Sequence, residues 1–168
     1  MNNKKSQIIV YDFLFGFLSF IVIITLVSLM WFRTSAQAER YELEKDQLHF
    51  ATNIANQLIM TSGEPNNWEY DSAIYKDSNF TIGLATDNNI LSNKKVEIFF
   101  NMNDSNYRGY DETKELLRLQ QYNYYIKLRD INNNVNATGK KPLENISVAV
   151  TRLVQIGNET KTLEVIIY

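Results

Sequence analysis

The residues that could do chemistry in this chain are few. Its 168 residues include no cysteine and one histidine, His49, which leaves no material for thiol chemistry and little for zinc sites or histidine general bases. His49 lies between Leu48 and Phe50 in a helical pattern, where a structural role is expected. The sequence contains no phosphate-binding glycine loop and no zinc-protease, serine-hydrolase or EF-hand motif. We therefore expect a protein that is not an enzyme and that holds no cofactor and no metal.

Two polar groups leave alternatives open. The carboxylates of Asp111 and Glu112, or those of Asp104 and Asp111, have the chemistry of a calcium site, although acids at irregular loop spacing are usually solvated surface residues. Tyr122, Tyr124 and Tyr125 have the chemistry of a sugar-binding platform, although strand tyrosines more often take part in sheet packing. In both cases the pattern favours the structural role.

The acid at position 12 needs a different explanation. Asp12 is the one charged residue in the 25-residue stretch 8–32, which is otherwise apolar or neutral. A helix of this length is about 37 Å long, enough to cross the hydrocarbon core of a bilayer. An ionised acid at the bilayer centre costs about 2.5–3.5 kcal/mol. Asp12 therefore either lies near the membrane edge and reaches the headgroups, or pairs with a cation in an assembly of such helices.

The flanks of this segment predict its orientation. Lys4 and Lys5 precede it, so the positive-inside rule favours a cytoplasmic leader over residues 1–7, a single transmembrane helix over 8–32 and an extracellular remainder. Five Asn-X-Ser/Thr sequons follow the helix and are possible glycosylation sites: Asn79, Asn103, Asn136, Asn145 and Asn158.

The helix is predicted to continue outside the membrane as an amphipathic helix over residues 33–62. Residues 33–61 contain neither glycine nor proline, and Gly63 and Pro65 then end the helix. The charges between positions 39 and 46 fall mostly on the other side and should be solvated. Apolar residues recur at three-, four- and seven-residue spacings, namely Tyr41, Leu48, Ala51, Ile54, Ala55, Leu58 and Ile59.

The remainder, residues 63–168, is predicted to be a small domain of short helices and strands. A helix should follow Ser92, and Asp111 is the expected N-cap of a second one. Residues 131–143, with their asparagines and a glycine, predict a long flexible connection. Apolar runs or alternation predict strands at 80–85, 124–128, 148–156 and 163–167, the last two joined by a hairpin turn at Gly157-Asn158.

These elements predict an α+β fold in which the amphipathic half of the long N-terminal helix packs on a small antiparallel sheet. Apolar residues at 45% and aromatic residues at 12% are enough for a folded core. The 20 asparagines indicate a polar, turn-rich surface. A formal net charge of −2 argues against nucleic acid as a partner, because such proteins need a clustered basic face.

The N-terminal region resembles that of type IV pilins and pseudopilins, specifically the archaeal type with a class III signal peptide. A short basic leader precedes about 20 apolar residues interrupted near their start by one acid, and the matching residues are Lys4, Lys5, Gln7, Asp12, Phe13 and Leu14. The resemblance implies a pilin-like fold, processing between Ser6 and Gln7, and Asp12 as an assembly residue.

Two positions depart from the family's pattern. Ser6 stands where the family usually has glycine before the cleaved bond, and Asp12 is the sixth residue counted from Gln7, where pilins usually place the acid fifth. Either the acid acts one position late, or the chain is a non-processed relative that remains a membrane-anchored monomer.

The resemblance implies a structural subunit or minor component of an archaeal type IV pilus-like filament or secretion system, at the cell membrane. The partners that it implies are a prepilin peptidase, a pilus platform protein with its ATPase machinery, other pilin-like subunits and membrane lipid. The alternative is a non-polymerising, membrane-anchored extracellular binding or adaptor protein.

Overall fold

The first element is a 58-residue helix, α1 (Asn3–Met60). The computed structural model describes residues 3–71, 73–74, 80–104, 106–143 and 148–168. The chain divides into two units, Met1–Leu43 and Glu44–Tyr168. The first is helical from residue 3 onward, and the second holds the end of α1 and every later element that the structure describes. The prediction that the helix runs unbroken to about residue 61 is confirmed.

The turn after α1 depends on Gly63. Its φ of +81° lies in the left-handed region that favours glycine, and an added Cβ would lie 2.6 Å from the main-chain oxygen of Thr81. Glu64 and Thr81 form an antiparallel bridge, and a short 3₁₀ turn, Trp68–Tyr70, follows. Gly63 and Pro65 therefore end the helix as predicted.

Two further helices and six strands complete the described part of the second unit. The helices are α2 (Asn93–Asn101) and α3 (Tyr110–Leu116). The strands are β1 (Ala85–Asp87), β2 (Ile90–Leu91), β3 (Tyr124–Arg129), β4 (Val135–Gly139), β5 (Val148–Ile156) and β6 (Glu159–Ile167).

Within the described residues the strands form one sheet in the order β1-β2-β5-β6-β3-β4. The predicted hairpin at Gly157-Asn158 is confirmed, because β5 and β6 pair antiparallel up to Ile156 and Glu159 on either side of this turn. Strand β3 pairs antiparallel with both β6 and β4. Strand β2 pairs parallel to β5, so the sheet is mixed where an antiparallel one was predicted. The α+β arrangement of a long helix packed on a small sheet is confirmed.

The core lies between α1 and one face of the sheet. Alternation in β3 buries Tyr124, Ile126 and Leu128, as the sequence predicts. The helix contributes five buried residues, Ala51, Ile54, Ala55, Leu58 and Ile59. The predicted stripe is too long at its N-terminal end, because Tyr41 is 70% exposed and Leu48 is 49% exposed. The charged residues between positions 39 and 46 are exposed, as expected.

The strand predicted at residues 80–85 is mostly wrong. Strand β1 begins only at Ala85, although Phe80, Ile82 and Leu84 are buried. The main chain here bonds to the end of α1: the N–H of Leu84 donates to the carbonyl of Leu58, 3.0 Å away, and that of Ala85 to Thr61, 2.9 Å away. These donors satisfy carbonyls that a helix C-terminus leaves without intrahelical partners.

Two other local predictions are corrected. The connection predicted over residues 131–143 contains strand β4, whose residues 135–137 are exposed and so carry no apolar alternation. Helix α3 begins at Tyr110 with Gly109, not Asp111, as its N-cap. Asp111 lies in the first turn, where a carboxylate still interacts favourably with the helix dipole.

Candidate functional site: the apolar half of the long helix

The apolar surface of α1 between residues 11 and 32 is uncovered. Every residue in this range is exposed, including Phe13 at 73%, Trp31 at 75% and Phe32 at 74%. Among the described residues, α1 is the one helix that is long and apolar enough to cross a membrane, judged by length and composition. Large exposed apolar surfaces mark sites of contact with lipid or protein. The described residues of the chain therefore leave this stretch without cover.

Two hydroxyl groups within the stretch have partners on the same helix. The hydroxyl of Ser19 donates to the carbonyl of Phe15 at 2.8 Å, and that of Thr25 donates to Ile21 at 2.8 Å. In hydrocarbon, a polar group must be satisfied internally because no water is available. These two side chains are therefore compatible with an apolar surrounding.

Asp12 differs from these hydroxyls. It is exposed, and among the side chains that the structure describes it makes no hydrogen bond or ion pair. The rings of Phe13 and Phe17 stack beside it along the helix, 6.3 Å apart. An acid in this position needs a partner from water, from a headgroup or from another chain.

Gly16 lies one helical turn after Asp12 and on the same face. An added Cβ at Gly16 would meet nothing within 4 Å, so the packing of the described chain does not require a glycine here. Glycine costs about 1 kcal/mol relative to alanine inside a helix. A helix surface with glycine allows close approach of a second helix in a membrane. The face of Asp12 and Gly16 therefore has the features of a helix-packing surface.

The structure describes the main chain at the proposed processing site but only some of the sequons. Ser6 and Gln7 lie in the first turns of α1, and cleavage between them stays a prediction. Asn79 and Asn145 lie outside the described residues. Glycosylation of the other sequons also stays a prediction.

The three sequon asparagines that the structure describes, Asn103, Asn136 and Asn158, differ in the exposure of their side chains. Asn136 in β4 and Asn158 in the β5–β6 turn are exposed. Asn103 is half-buried, and its Oδ1 accepts a hydrogen bond from the hydroxyl of Tyr124 at 2.6 Å. The side chain of Asn103 is therefore less accessible to modification than those of Asn136 and Asn158.

The tyrosines and the histidine take structural positions. Tyr122 and Tyr124 are buried, and the ring of Tyr124 stacks on Tyr110 with centroids 5.1 Å apart. The side chain of His49 shares a 3.0 Å hydrogen bond with that of Asn53, one turn later in α1. The predicted structural role is confirmed for Tyr122 and Tyr124 by their burial. The contact of His49 is consistent with the structural role predicted for it. The described part of the chain contains no cluster of three or more His, Asp or Glu side chains suited to a metal.

A buried lysine is the feature that the sequence interpretation missed. Lys95 in α2 is 2% exposed, and its Nζ donates to the carbonyls of Ser62 at 2.7 Å and Asn66 at 2.6 Å. The Nζ also lies 3.5 Å from Asn66 Oδ1 and 3.8 Å from Glu69 Oε2. A signal was present, since Lys95 lies directly before Val96 on the apolar side of a short helix.

An open groove of about 550 Å³ lies between α2 and the edge strand β4. The polar residues that line it are Asn93, Asn101 and Asn136, together with Glu97 and Lys161, and Phe100 is the aromatic one. Amide groups beside an aromatic ring suit a neutral polar ligand such as a sugar, because they combine hydrogen bonds with an apolar contact.

No protein-family model matches this chain, and no curated protein or solved structure matches it at a significant level. Similarity to a known protein therefore does not identify the family, and the resemblance of the N-terminal region to pilins stays a prediction.

Proposed function

We propose that this protein is a membrane-anchored, pilin-like subunit that assembles into a filament or secretion machine through the apolar half of α1. The observation that carries the proposal is the uncovered apolar surface of residues 11–32, with Asp12 and Gly16 on one face. Lipid covers this surface before assembly, and helices of neighbouring subunits cover it afterwards.

The mechanism of assembly is helix packing with a fixed register. Cleavage after Ser6 creates a free α-amino group on Gln7, which is largely charged at neutral pH because its pKa is about 7.7–8.0. Asp12 of a neighbouring subunit pairs with this amine inside the apolar layer. Desolvation of both ions consumes much of their attraction, so the pair sets the axial position more than it adds net stability.

The same proposal assigns topology and partners. The leader is cytoplasmic, residues 8–32 cross the cell membrane once, and the unit built around the sheet lies outside. A prepilin peptidase removes the leader, and a platform protein with its ATPase machinery drives assembly. Membrane lipid and other pilin-like subunits are the remaining partners. Lys4 and Lys5 before the apolar stretch support this orientation.

Cysteine cross-linking in membranes tests assembly, since the chain has no native cysteine. Ser19 lies on the face of Asp12 and Gly16, whereas Ile21 lies on the opposite side of the helix. In cells that carry the assembly machinery, we expect Ser19→Cys to give cross-linked dimers and larger species under oxidation. Ile21→Cys, at matched expression, should give markedly less.

The alternative is a monomeric, membrane-anchored binding protein, and the groove between α2 and β4 favours it as a second candidate. Its three asparagine amides and Phe100 would contact a polar ligand outside the membrane. The cross-linking experiment separates the two functions. Monomer alone from both cysteine variants would contradict the assembly proposal and favour this alternative.

A further inference from the structure

Lys95, Asn66 and Glu69 bring together the three groups that amide formation needs: an amine, a carboxamide and a proton carrier. The Lys95 Nζ donates a hydrogen bond to Asn66 Oδ1 at 3.5 Å, so the amine and the carboxamide are in contact. Two main-chain acceptors, the carbonyls of Ser62 and Asn66, hold the amine at this place. The contact is therefore an oriented one and not a chance approach of a mobile surface lysine.

Glu69 is placed to move protons. Its Oε2 lies 3.8 Å from the Lys95 Nζ, is buried, and accepts no hydrogen bond within the described part of the chain. Glu69 can thus take a proton from the amine and later return it, which is the role of a general acid–base.

The surrounding of Lys95 favours the nucleophilic form of the amine. Burial lowers the pKa of Lys95 below its usual 10.5, and the nearby Glu69 partly opposes this effect. A desolvated lysine is a better nucleophile than an exposed one because more of it is neutral at a given pH. Asn66 itself is exposed, which leaves a path to solvent for a leaving group.

We propose that Lys95 and Asn66 form an intramolecular isopeptide bond, with Glu69 as the proton carrier. Glu69 takes a proton from the Lys95 ammonium, and the nitrogen lone pair forms a bond to Cγ of Asn66. Glu69 then shuttles protons to the amide nitrogen of Asn66, and the bond between that nitrogen and Cγ breaks. The leaving group departs as ammonium, Glu69 is again a carboxylate, and the product is a secondary amide between the two side chains.

The cross-link would join the turn that follows α1 to helix α2, across 29 residues of sequence. In the second unit (Glu44–Tyr168), which we call the sheet unit, it would add a covalent bond to the packing that holds the end of α1 in place. It forms within one chain, whether or not the chain polymerises, so its test is independent of the assembly proposal.

Mass spectrometry of the full chain, extracted from membranes in detergent, tests the bond. Loss of ammonia makes the cross-linked chain about 17 Da lighter than its sequence mass. Trypsin cannot cleave after an acylated Lys95, so we expect a branched peptide that joins residues 46–76 to residues 95–108. The branched peptide is the decisive product, because cyclisation of a newly exposed Gln7 would also remove about 17 Da.

Two variants provide the controls. Lys95→Arg keeps the cation but has no nucleophilic amine, so the branched peptide should be absent. Glu69→Gln keeps the shape of the side chain but removes the proton carrier, so at least about a tenfold loss of branched peptide is expected. Wild-type protein in which residues 46–76 and 96–108 appear only as separate peptides would overturn the proposal. Undiminished branching in Glu69→Gln would overturn the role of Glu69.

Discussion

Asp12 is the residue on which the proposed assembly depends. We expect Asp12→Ala to leave membrane insertion and the folded sheet unit intact, because Asp12 is exposed and makes no hydrogen bond or ion pair with the other side chains that the structure describes. The yield of filaments or oligomers should fall strongly, since the amine of the neighbouring subunit loses its partner in the apolar layer. Shearing or cross-linking at matched membrane levels measures the yield.

Asp12→Glu is the matched control for this prediction. It keeps the charge but extends its reach, so the yield should lie between those of wild type and Asp12→Ala. A normal yield from Asp12→Ala would instead favour an acid that simply reaches the lipid headgroups.

Because Tyr124 is buried, we expect the stability of the folded chain to depend on pH in the alkaline range. Burial raises the pKa of Tyr124 above its usual 10.0, and the hydrogen bond to Asn103 partly opposes this. Because the pKa of Tyr124 is higher in the folded than in the unfolded chain, the neutral phenol stabilises the fold below about pH 10. This stabilisation is lost as the pH rises further. We expect the free energy of unfolding of the full chain in detergent to fall as the pH rises above about 10.

Tyr124→Phe should flatten this pH dependence. The variant loses the hydrogen bond to Asn103 and hence about 1 kcal/mol near pH 8, but it has no phenol to ionise at position 124. Tyr110, which stacks on Tyr124 and whose pKa burial also raises, leaves part of the dependence in place. Denaturant unfolding followed by the fluorescence of buried Trp68 measures both chains. Equal slopes against pH would contradict the assignment to Tyr124.

At the scale of elements, α1 stabilises the sheet unit through a short stretch of its length. Leu58 is fully buried against the core, whereas Leu48, ten residues earlier on the same helix, is 49% exposed. We expect Leu58→Ala to lower the free energy of unfolding by about 2–5 kcal/mol because it leaves a cavity. Leu48→Ala should change it by no more than about 0.5 kcal/mol.

The two leucine variants have the same change of volume and of helix propensity, so their difference isolates burial in the core. Chemical denaturation in detergent, followed by the fluorescence of Trp68, measures both. Similar effects of the two substitutions would show that Leu48 is covered as well, and that the amphipathic stripe is as long as the sequence predicts.

Elements with a strong local pattern were predicted well, and elements made by pairing were not. Strands β5 and β6 and their turn at Gly157-Asn158 follow from alternation that is visible in any short window. Strand β4 has exposed residues and is a strand because it pairs with β3. Residues 80–84 look like a strand, but the N–H of Leu84 donates to the carbonyl of Leu58 in α1. Sequence patterns report burial, and they do not report which main chain is the hydrogen-bond partner.

At the scale of the whole molecule, the proposed topology predicts protease sensitivity. Protease added to intact cells should remove the sheet unit and leave a membrane fragment of about the first 40 residues, because Lys4 and Lys5 favour a cytoplasmic N-terminus. An antibody against the sheet unit follows its loss, and a cytoplasmic protein that stays intact controls for lysis. Complete protection of the sheet unit in intact cells, with digestion only after lysis, would reverse the orientation.

The sequence by itself determined the apolar helix, its single acid, its end at Gly63 and Pro65, and the α+β class. These follow from composition and from periodicities of two and 3.6 residues, which are properties of neighbouring positions. Only the tertiary structure decided the sheet order, the parallel pairing of β2 with β5 and the burial of Lys95. The residues that bind its amine, Ser62, Asn66 and Glu69, lie in the segment that follows α1, far away in the sequence. Contacts of this kind depend on packing of distant segments, which no local pattern of residues encodes.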